Sequence, residues 1–144
     1  MIMDLLFIDP KHALYASELD LRFRILREPI GHTRDDVRFT FEDRSLHLVA
    51  VDKARVMGCV LFHPDDHGGG RLYQMAVHGS LQGQGLGTQL VNRLEIELRS
   101  RQTERIHLHA RDVAVAFYER LGYRCVGEPF DEVGIVHYMM EKEL

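Results

Sequence analysis

The chain has 144 residues, of which 45% are hydrophobic, and its 18 basic and 22 acidic side chains give a net charge of -4. This size predicts a single domain over residues 1–144. The acidic balance argues against a nucleic-acid partner. The sequence has no basic leader and no apolar run near the ~18 residues of a membrane span, so we expect no membrane partner and a cytoplasmic location. Cys59 and Cys125 lack metal-site spacing and are predicted to be small buried hydrophobic residues.

The first third of the chain predicts a strand, a helix and a loop. Residues 3–8 are apolar enough for a short strand. Residues 12–28 favour a helix that ends at Pro29, with Tyr15, Leu19, Phe23 and Leu26 at helical spacing. A strand is the alternative, because Leu19, Leu21, Phe23 and Ile25 alternate. Residues 29–45 are polar and are predicted to form a loop that shapes a substrate entrance.

The remaining elements follow from alternating apolar runs and turn residues. Residues 46–78 predict an antiparallel meander of three strands, with turns at 52–55 and 63–71. A helix is predicted over 84–101, where Leu86, Leu90, Val91, Leu94 and Leu98 mark one face. A strand over 105–110 precedes a helix that stops at Gly122. Two final strands are predicted over 123–130 and 134–144.

Three glycines, Gly83, Gly85 and Gly87, stand at alternate positions where the helix predicted over 84–101 begins. Glycine costs about 1 kcal/mol relative to alanine inside a helix, so the cluster needs a reason. No capping side chain immediately precedes Gln84, and the first carboxylate of the helix is Glu95. The free N–H groups of this helix start are therefore open to an anion. The pattern predicts a phosphate or pyrophosphate site.

Glycine-rich turns occur in several kinds of phosphate site, and two of them fit poorly. A P-loop would need a Lys-Ser/Thr pair after the last glycine. A Rossmann turn would have G-x-G-x-x-G spacing within a βαβ unit, whereas this turn follows a meander. A nucleotide-binding module unrelated to acyl transfer is kept as the least favoured alternative.

Two motifs resemble those of the GNAT acetyltransferase superfamily. Gln82-Gly83-Gln84-Gly85-Leu86-Gly87 matches its Q/R-x-x-G-x-G/A signature and follows a strand, "LYQMAV", of the expected kind. "ARDVAVAFYERLGY" resembles its N-x-x-A-x-x-F-Y-x-x-x-G-F segment, with Arg111 in place of Asn and Tyr123 in place of Phe. The ending is similar to that of a bacterial subgroup with a G-I-P-H-x-x-M segment, with Val136 in place of Pro. The order of predicted elements along the whole chain is also GNAT-like.

The resemblance implies an α/β (α+β) GNAT fold. Its sheet would be mixed and mainly antiparallel, with about six to seven strands and helices on both faces, and it would be splayed between "LYQMAV" and "RIHLHA". It also implies an acetyl-CoA-dependent N-acetyltransferase in which a primary amine attacks the thioester directly. The alternative is a CoA-binding sensor or regulatory domain without turnover. The expected partner is a small-molecule or peptide amine, and a homodimer is possible.

The resemblance further implies roles for individual residues. The residues expected to bind acetyl-CoA are Met75, Ala76, Val77, Gln82, Gly83, Gln84, Gly85, Leu86, Gly87, Thr88 and Phe117. Tyr118 matches the family tyrosine that faces the departing sulfur and is the expected general acid. His109 and Glu132 are the candidates for the general base, and His78 and His137 also lie near predicted strand ends. No metal is expected, because neither "HPDDH" nor His107-x-His109 has a strong metal-site spacing.

Overall fold

A computed structural model describes residues 3–144, so Met1 and Ile2 lie outside the described part of the chain. The helices and strands follow in chain order: β1 (Asp4–Ile8), α1 (Tyr15–Arg22), β2 (Leu46–Asp52), β3 (Arg55–Pro64), β4 (Gly69–Val77), α2 (Leu86–Ser100), β5 (Arg105–Arg111), α3 (Asp112–Arg120), β6 (Arg124–Cys125), β7 (Phe130–Glu132) and β8 (Ile135–Glu143). No helix within residues 3–144 is long and apolar enough to cross a membrane.

The eight strands form one sheet in the order β1-β2-β3-β4-β5-β8-β6, and β7 pairs with β8. Every pairing is antiparallel except that of β4 with β5. These two parallel strands pair only between Gly69–Arg71 and Arg105–His107, and beyond that point they separate. The expected mixed, mainly antiparallel sheet with a splay between these two strands is confirmed.

Helices cover both faces of the sheet, because alternate residues of each strand point to opposite sides. On one face, Leu21 of α1 packs with Val49 of β2 and Cys59 of β3. On the other face, Leu90 and Leu94 of α2 and Tyr118 of α3 pack with the strands. The sheet between two helical layers is the α/β (α+β) class predicted from the sequence.

The first helix is confirmed, and the strand alternative for residues 19–25 is wrong. Helix α1 is continued by a π-helical turn (Phe23–Arg27) and a 3-10 turn (Glu28–Ile30) that contains Pro29. Its inward face differs from the apolar one expected, because the buried residues are Tyr15, Glu18, Leu21 and Arg22. The polar loop after it contains two 3-10 turns (Arg34–Asp36 and Glu42–Arg44).

Two predictions in the last third of the chain are wrong. The single strand expected over 123–130 is divided into β6 and β7, which are two and three residues long. Positive φ at Gly127, 72°, interrupts the extended backbone between them. Cys125 lies on the short edge strand β6 and is exposed, whereas Cys59 is buried as expected.

Candidate functional site

The glycine turn leads into α2 through left-handed backbone. Gly83 and Gly85 have φ of 78° and 86°, and Gly85 is the N-cap residue of α2 without a side-chain cap. A Cβ at either glycine would meet no atom within 4 Å, so the turn faces open space. The first helical hydrogen bond runs from Gln89 N–H to Gly85 C=O, which leaves the preceding N–H groups without intrahelical partners. This is the bare helix start that the sequence predicts.

Gly87 has a different structural reason to be glycine. A Cβ at this position would lie 3.2 Å from the Phe117 ring, so the absence of a side chain allows α3 to pack against the first turn of α2. The side chains of the neighbouring glutamines fix the turn itself: Gln82 donates to the C=O of Val77 at 3.0 Å, and Gln84 donates to the C=O of Ser80 at 3.2 Å.

Strand β4 carries a bulge beside the splay. The β3–β4 register shifts between Cys59 and Leu61, and the inserted residue Gln74 has a positive φ of 54°. A bulge bends a strand and changes the direction of the side chains that follow it. Here it lies at the point where β4 leaves β5, just before residues 75–77.

One pocket of about 980 Å³ occupies the splay. Its lining includes every residue predicted for the site except Gln84: Met75, Ala76, Val77, Gln82, Gly83, Gly85, Leu86, Gly87, Thr88, Phe117, Tyr118, His109 and Glu132. His78 is not among its lining residues, whereas His137 is. Residues from β4, α2, β5, α3 and β7 therefore converge on a single cavity.

His109 and Glu132 form a hydrogen-bonded pair in this pocket. His109 Nδ1 lies 3.0 Å from Glu132 Oε1, so the imidazole donates from Nδ1 to the carboxylate and its Nε2 takes no part in this contact. Burial by itself would raise the pKa of the Glu132 carboxyl, but the hydrogen bond from His109 and the nearby charges of Arg71 and His137 hold that pKa below its usual value. The carboxylate therefore stays ionised and keeps His109 oriented.

His137 contacts the other oxygen of the same carboxylate. Its Nδ1 donates to the C=O of Ile135 at 2.8 Å, and its Nε2 lies 3.5 Å from Glu132 Oε2. With Nδ1 carrying a proton, Nε2 interacts favourably with the carboxylate when the ring is an imidazolium. Phe130 packs beside both imidazoles, with ring centroids 5.0 Å from His109 and 6.0 Å from His137.

Tyr118 lies in the pocket wall between two aromatic neighbours. Its ring makes edge contacts with Phe117 and Tyr123, with centroids 4.9 and 5.6 Å away. Burial raises the pKa of its phenol, so the hydroxyl stays protonated. Within residues 3–144 no hydrogen bond to this hydroxyl is formed, whereas the Tyr123 hydroxyl donates to Glu95 at 2.9 Å. Tyr118 is thus a protonated donor with no protein partner.

A buried ion network, formed by Glu18, Arg22, Glu42 and His47, lies under the pocket. The Arg22 guanidinium donates to Glu18 at 2.8 Å and to both oxygens of Glu42, at 2.9 and 2.7 Å. His47 contacts both oxygens of Glu18 through Nδ1 and the C=O of Glu42 through Nε2, so both ring nitrogens donate and the ring is cationic. Two cations and two carboxylates balance one another.

This buried ion network joins three elements around the pocket. Arg22 of α1 also donates to the C=O of Val37 in the loop and to the side chain of Gln74 in the bulge of β4. The side chains of Glu18, Glu42 and His47 come close enough together for a metal site. Arg22 and Tyr15, however, already donate hydrogen bonds to the carboxylate oxygens. The network ties the loop to the sheet.

Sequence reasoning missed this network and two pocket arginines, Arg27 and Arg71. Glu18 and Arg22 have the i,i+4 spacing of a helical ion pair, which was the one available signal, but such pairs are usually exposed. Glu42 lies in a loop without a readable motif. Arg71 and Arg27 line the pocket only because the splay and the π-helical turn bring them there.

Comparisons with known proteins identify the fold family. Residues 32–144 match the family model described as "Acetyltransferase (GNAT) domain". An N-acetyltransferase candidate from Lactobacillus plantarum is 24% identical, with a TM-score of 0.89, and the match covers 100% of this chain and 99% of the other.

Two aminoglycoside-modifying enzymes are also similar in structure. Aminoglycoside 6'-acetyltransferase type Ii is 26% identical with a TM-score of 0.81, covering 98% of this chain and 97% of the other. Aminoglycoside 6'-N-acetyltransferase, solved with coenzyme A, is 23% identical with a TM-score of 0.77, covering 99% and 97%. The family match extends over more than half of the chain and agrees with the splayed sheet and the bare glycine turn. The chain belongs to the GNAT acetyltransferase family and is an N-acetyltransferase.

Proposed function

We propose that this protein transfers the acetyl group of acetyl-CoA to a primary amine by direct attack of the amine on the thioester. The observation that carries the proposal is the continuity of the pocket, which runs from the bare start of α2 to Tyr118 and the His109–Glu132 pair. One cavity with an anion site at one end and proton donors and acceptors at the other suits a reaction between two bound substrates.

The glycine turn suits the pyrophosphate of CoA. The N–H groups at the start of α2 meet the positive end of the helix dipole, and the space beside Gly83 and Gly85 is open. The backbone of residues 75–77 is free of β5 on the cleft side and suits hydrogen bonding to the pantetheine amides. The structural similarity to an acetyltransferase solved with coenzyme A supports this assignment.

The remaining groups suit the chemistry of acetyl transfer. The neutral amine gives one N–H proton to His109 Nε2 as it attacks, while Glu132 holds the ring through Nδ1, and His109 later releases that proton to solvent. The amine nitrogen forms a bond to the carbonyl carbon, and the carbon–sulfur bond then breaks. Tyr118 donates its proton to the departing sulfur and regains one from solvent. Burial keeps the phenol protonated, and its O–H has no acceptor within residues 3–144, so it is free to donate to the sulfur.

Two alternatives predict different ligand behaviour. A CoA-binding sensor would bind acetyl-CoA tightly but acetylate no amine. A nucleotide-binding module would prefer NAD or ATP. We expect neither, because Tyr118 and the His109–Glu132 pair lie in the same pocket as the glycine turn.

The first experiment is a thermal shift with acetyl-CoA, CoA, NAD and ATP in parallel. A ligand at 100 times its dissociation constant stabilises a protein by about 2.7 kcal/mol. For a domain of this size that corresponds to several degrees in Tm. Stabilisation by acetyl-CoA and CoA alone, followed by thiol release with a panel of primary amines, supports the proposal. Stabilisation by NAD or ATP, or tight CoA binding with no turnover on any amine, overturns it.

A further inference from the structure

The charges that line the pocket are mostly positive, although the whole chain carries a net charge of -4. Four arginines contribute to the lining: Arg27, Arg71, Arg111 and Arg120. In the described part of the chain, Glu132 is the single carboxylate of that lining. A substrate with several amino groups would therefore meet repulsion rather than counter-charges.

Arg71 lies close to the catalytic pair. Its terminal nitrogen is 3.8 Å from Glu132 Oε1, the same oxygen that accepts the hydrogen bond of His109. Arg71 and His109 therefore both approach Glu132 Oε1. The two residues also belong to the strands that border the splay, β4 and β5.

Arg71 has unused hydrogen-bonding capacity. Its Nε is buried and has no partner within residues 3–144, and its contact with Glu132 is longer than a hydrogen bond. The side chain is 36% exposed, so an anion would contact its terminal nitrogens rather than the inaccessible Nε. Glu132 balances part of the Arg71 charge at 3.8 Å but does not form a hydrogen bond with the Nε.

Arg27 adds a second cation to the pocket lining. It is half-buried in the π-helical turn after α1, and its hydrogen bonds go to backbone carbonyls, those of Asp36 and Leu26. Within residues 3–144 it forms no ion pair with a carboxylate. Burial and the charge of Arg22 lower the pKa of Arg27, and the charges of Asp36 and Glu132 oppose that decrease, so Glu132 is within electrostatic range.

Apolar side chains form another part of the pocket lining. They are Ile25, Leu26, Ile30, Phe39, Val133 and Ile135. Such a surface binds an alkyl or aryl group and gives no hydrogen bonds to the hydroxyls of a sugar.

We propose that the acceptor is a small amine that carries a carboxylate close to its amino group and an apolar side chain, as in a hydrophobic α-amino acid. Arg71 and Arg27 bind the carboxylate, which places the amino group at His109, and the apolar wall holds the side chain. This proposal rests on the proposed acetyl transfer and specifies its acceptor.

The test compares amines that differ in one group. We expect kcat/KM to be at least tenfold higher for L-leucine and L-phenylalanine than for isoamylamine and 2-phenylethylamine, which lack the carboxylate. Putrescine should be poorer still. Equal or higher kcat/KM for the amines without the carboxylate, or for putrescine, overturns the proposal even though acetyl transfer itself is then demonstrated.

Substitution of Arg71 and Arg27 tests whether these residues cause the preference for an amine with a carboxylate. Arg71→Gln and Arg27→Gln should each lower the ratio of kcat/KM for L-leucine to kcat/KM for isoamylamine at least tenfold. Arg124→Gln is the matched control, because Arg124 is an exposed arginine paired with Glu141 outside the pocket. A decrease of equal size for both substrates in the two pocket variants overturns the assignment.

A binding measurement keeps the proposal testable without turnover. Calorimetric titration of the protein with N-acetyl-L-leucine and with N-isoamylacetamide compares the two products directly. We expect the carboxylate product to bind at least tenfold more tightly, and the advantage to be lost in Arg71→Gln. Equal affinity for the two products contradicts the carboxylate site, whereas failure of CoA to bind in a separate titration contradicts the proposed function.

Discussion

His109 Nδ1 lies 3.0 Å from Glu132 Oε1, although the two residues are 23 positions apart and belong to different strands. Removing the imidazole by His109→Asn should lower kcat about 10²–10⁴-fold, the range of a general base. Glu132→Gln keeps an acceptor for Nδ1 but removes the charge, and should lower kcat less. The measurement is steady-state kinetics with a saturating amine, together with calorimetry of acetyl-CoA binding, which should be unchanged.

His107→Asn is the control for the base, because His107 lies two residues away on the same strand and is not among the pocket residues. Its turnover should equal that of the unmodified chain. Turnover of His109→Asn within threefold of that of the unmodified chain would show that another group accepts the proton of the amine.

Tyr118→Phe should lower kcat about 10²-fold and leave the dissociation constant of acetyl-CoA within about twofold, because the variant removes a proton donor and keeps the ring. Tyr123→Phe is the matched control, since its hydroxyl donates to buried Glu95. That variant should reduce stability by about 1–3 kcal/mol without a change in kcat. Equal turnover of Tyr118→Phe and the unmodified chain would remove Tyr118 from the mechanism.

Gly85→Glu should abolish CoA binding, because the new side chain adds bulk and negative charge at the start of α2. Gly127→Glu is the matched control: both glycines have positive φ, 86° and 72°, and a Cβ at either meets no atom within 4 Å. Each substitution brings a similar backbone strain of about 1–2 kcal/mol. Calorimetry should detect CoA binding only in Gly127→Glu, and retained binding in folded Gly85→Glu would disprove the phosphate site.

Arg22→Met should lower the free energy of unfolding by about 3–5 kcal/mol, because it removes the cation that pairs with the buried carboxylates of Glu18 and Glu42. Arg24→Met is the comparison two residues away. Arg24 is 55% exposed and pairs with Asp20, so its loss should cost about 0.5 kcal/mol or less. Urea unfolding of the two variants measures the difference. Similar losses would mean that the buried ion network does not stabilise the fold.

The same network predicts a stability that depends on pH. Burial opposes the charged form of His47, but the hydrogen bond and charge of Glu18 outweigh it and raise the pKa of His47 above its usual 6.5. Its contribution is therefore fully present below about pH 6.5 and is lost as the pH rises through the raised pKa of the folded state. Urea unfolding at several pH values should show this decrease, and His47→Gln should abolish it.

Glu42 determines how the free energy of unfolding changes at acid pH. Burial alone would raise the pKa of its carboxyl, but the hydrogen bond and charge of Arg22 hold it below the usual 4.5. This contribution is present above about pH 4.5 and is lost as the pH falls through the lowered pKa.

A His47→Gln variant whose stability changes with pH above pH 6.5 in the same way as that of the unmodified chain would contradict the role given to His47.

The strands, the helices and the glycine turn were largely predictable, because their signals are local. Apolar alternation indicates β2 to β5, and the absence of a cap before Gln84 indicates the bare start of α2, which begins two residues later, at Leu86. The interrupted strand after Tyr123 was not predictable with the same rules. Its apolar run is too short and too rich in turn residues to fix the extended backbone.

The candidate site was predictable in composition but not in arrangement. His109 and Glu132 could be named as candidate bases because both lie near strand ends, but their contact depends on the pairing of β5 with residues 137–143 of β8 and of β7 with residues 135–137. The inward face of α1 was mispredicted for a related reason. Glu18 and Arg22 are charged, and their burial depends on Glu42 and His47, which are distant in sequence.

The short seam between β4 and β5 leaves main-chain groups of β4 unpaired with β5. Beyond Arg71 and His107 the two strands no longer pair, so the amide and carbonyl groups of one edge of β4 face the cleft. Peptide groups are the same whatever the side chain. A binding surface made of main chain, as proposed for CoA, would survive substitutions that would destroy one made of side chains.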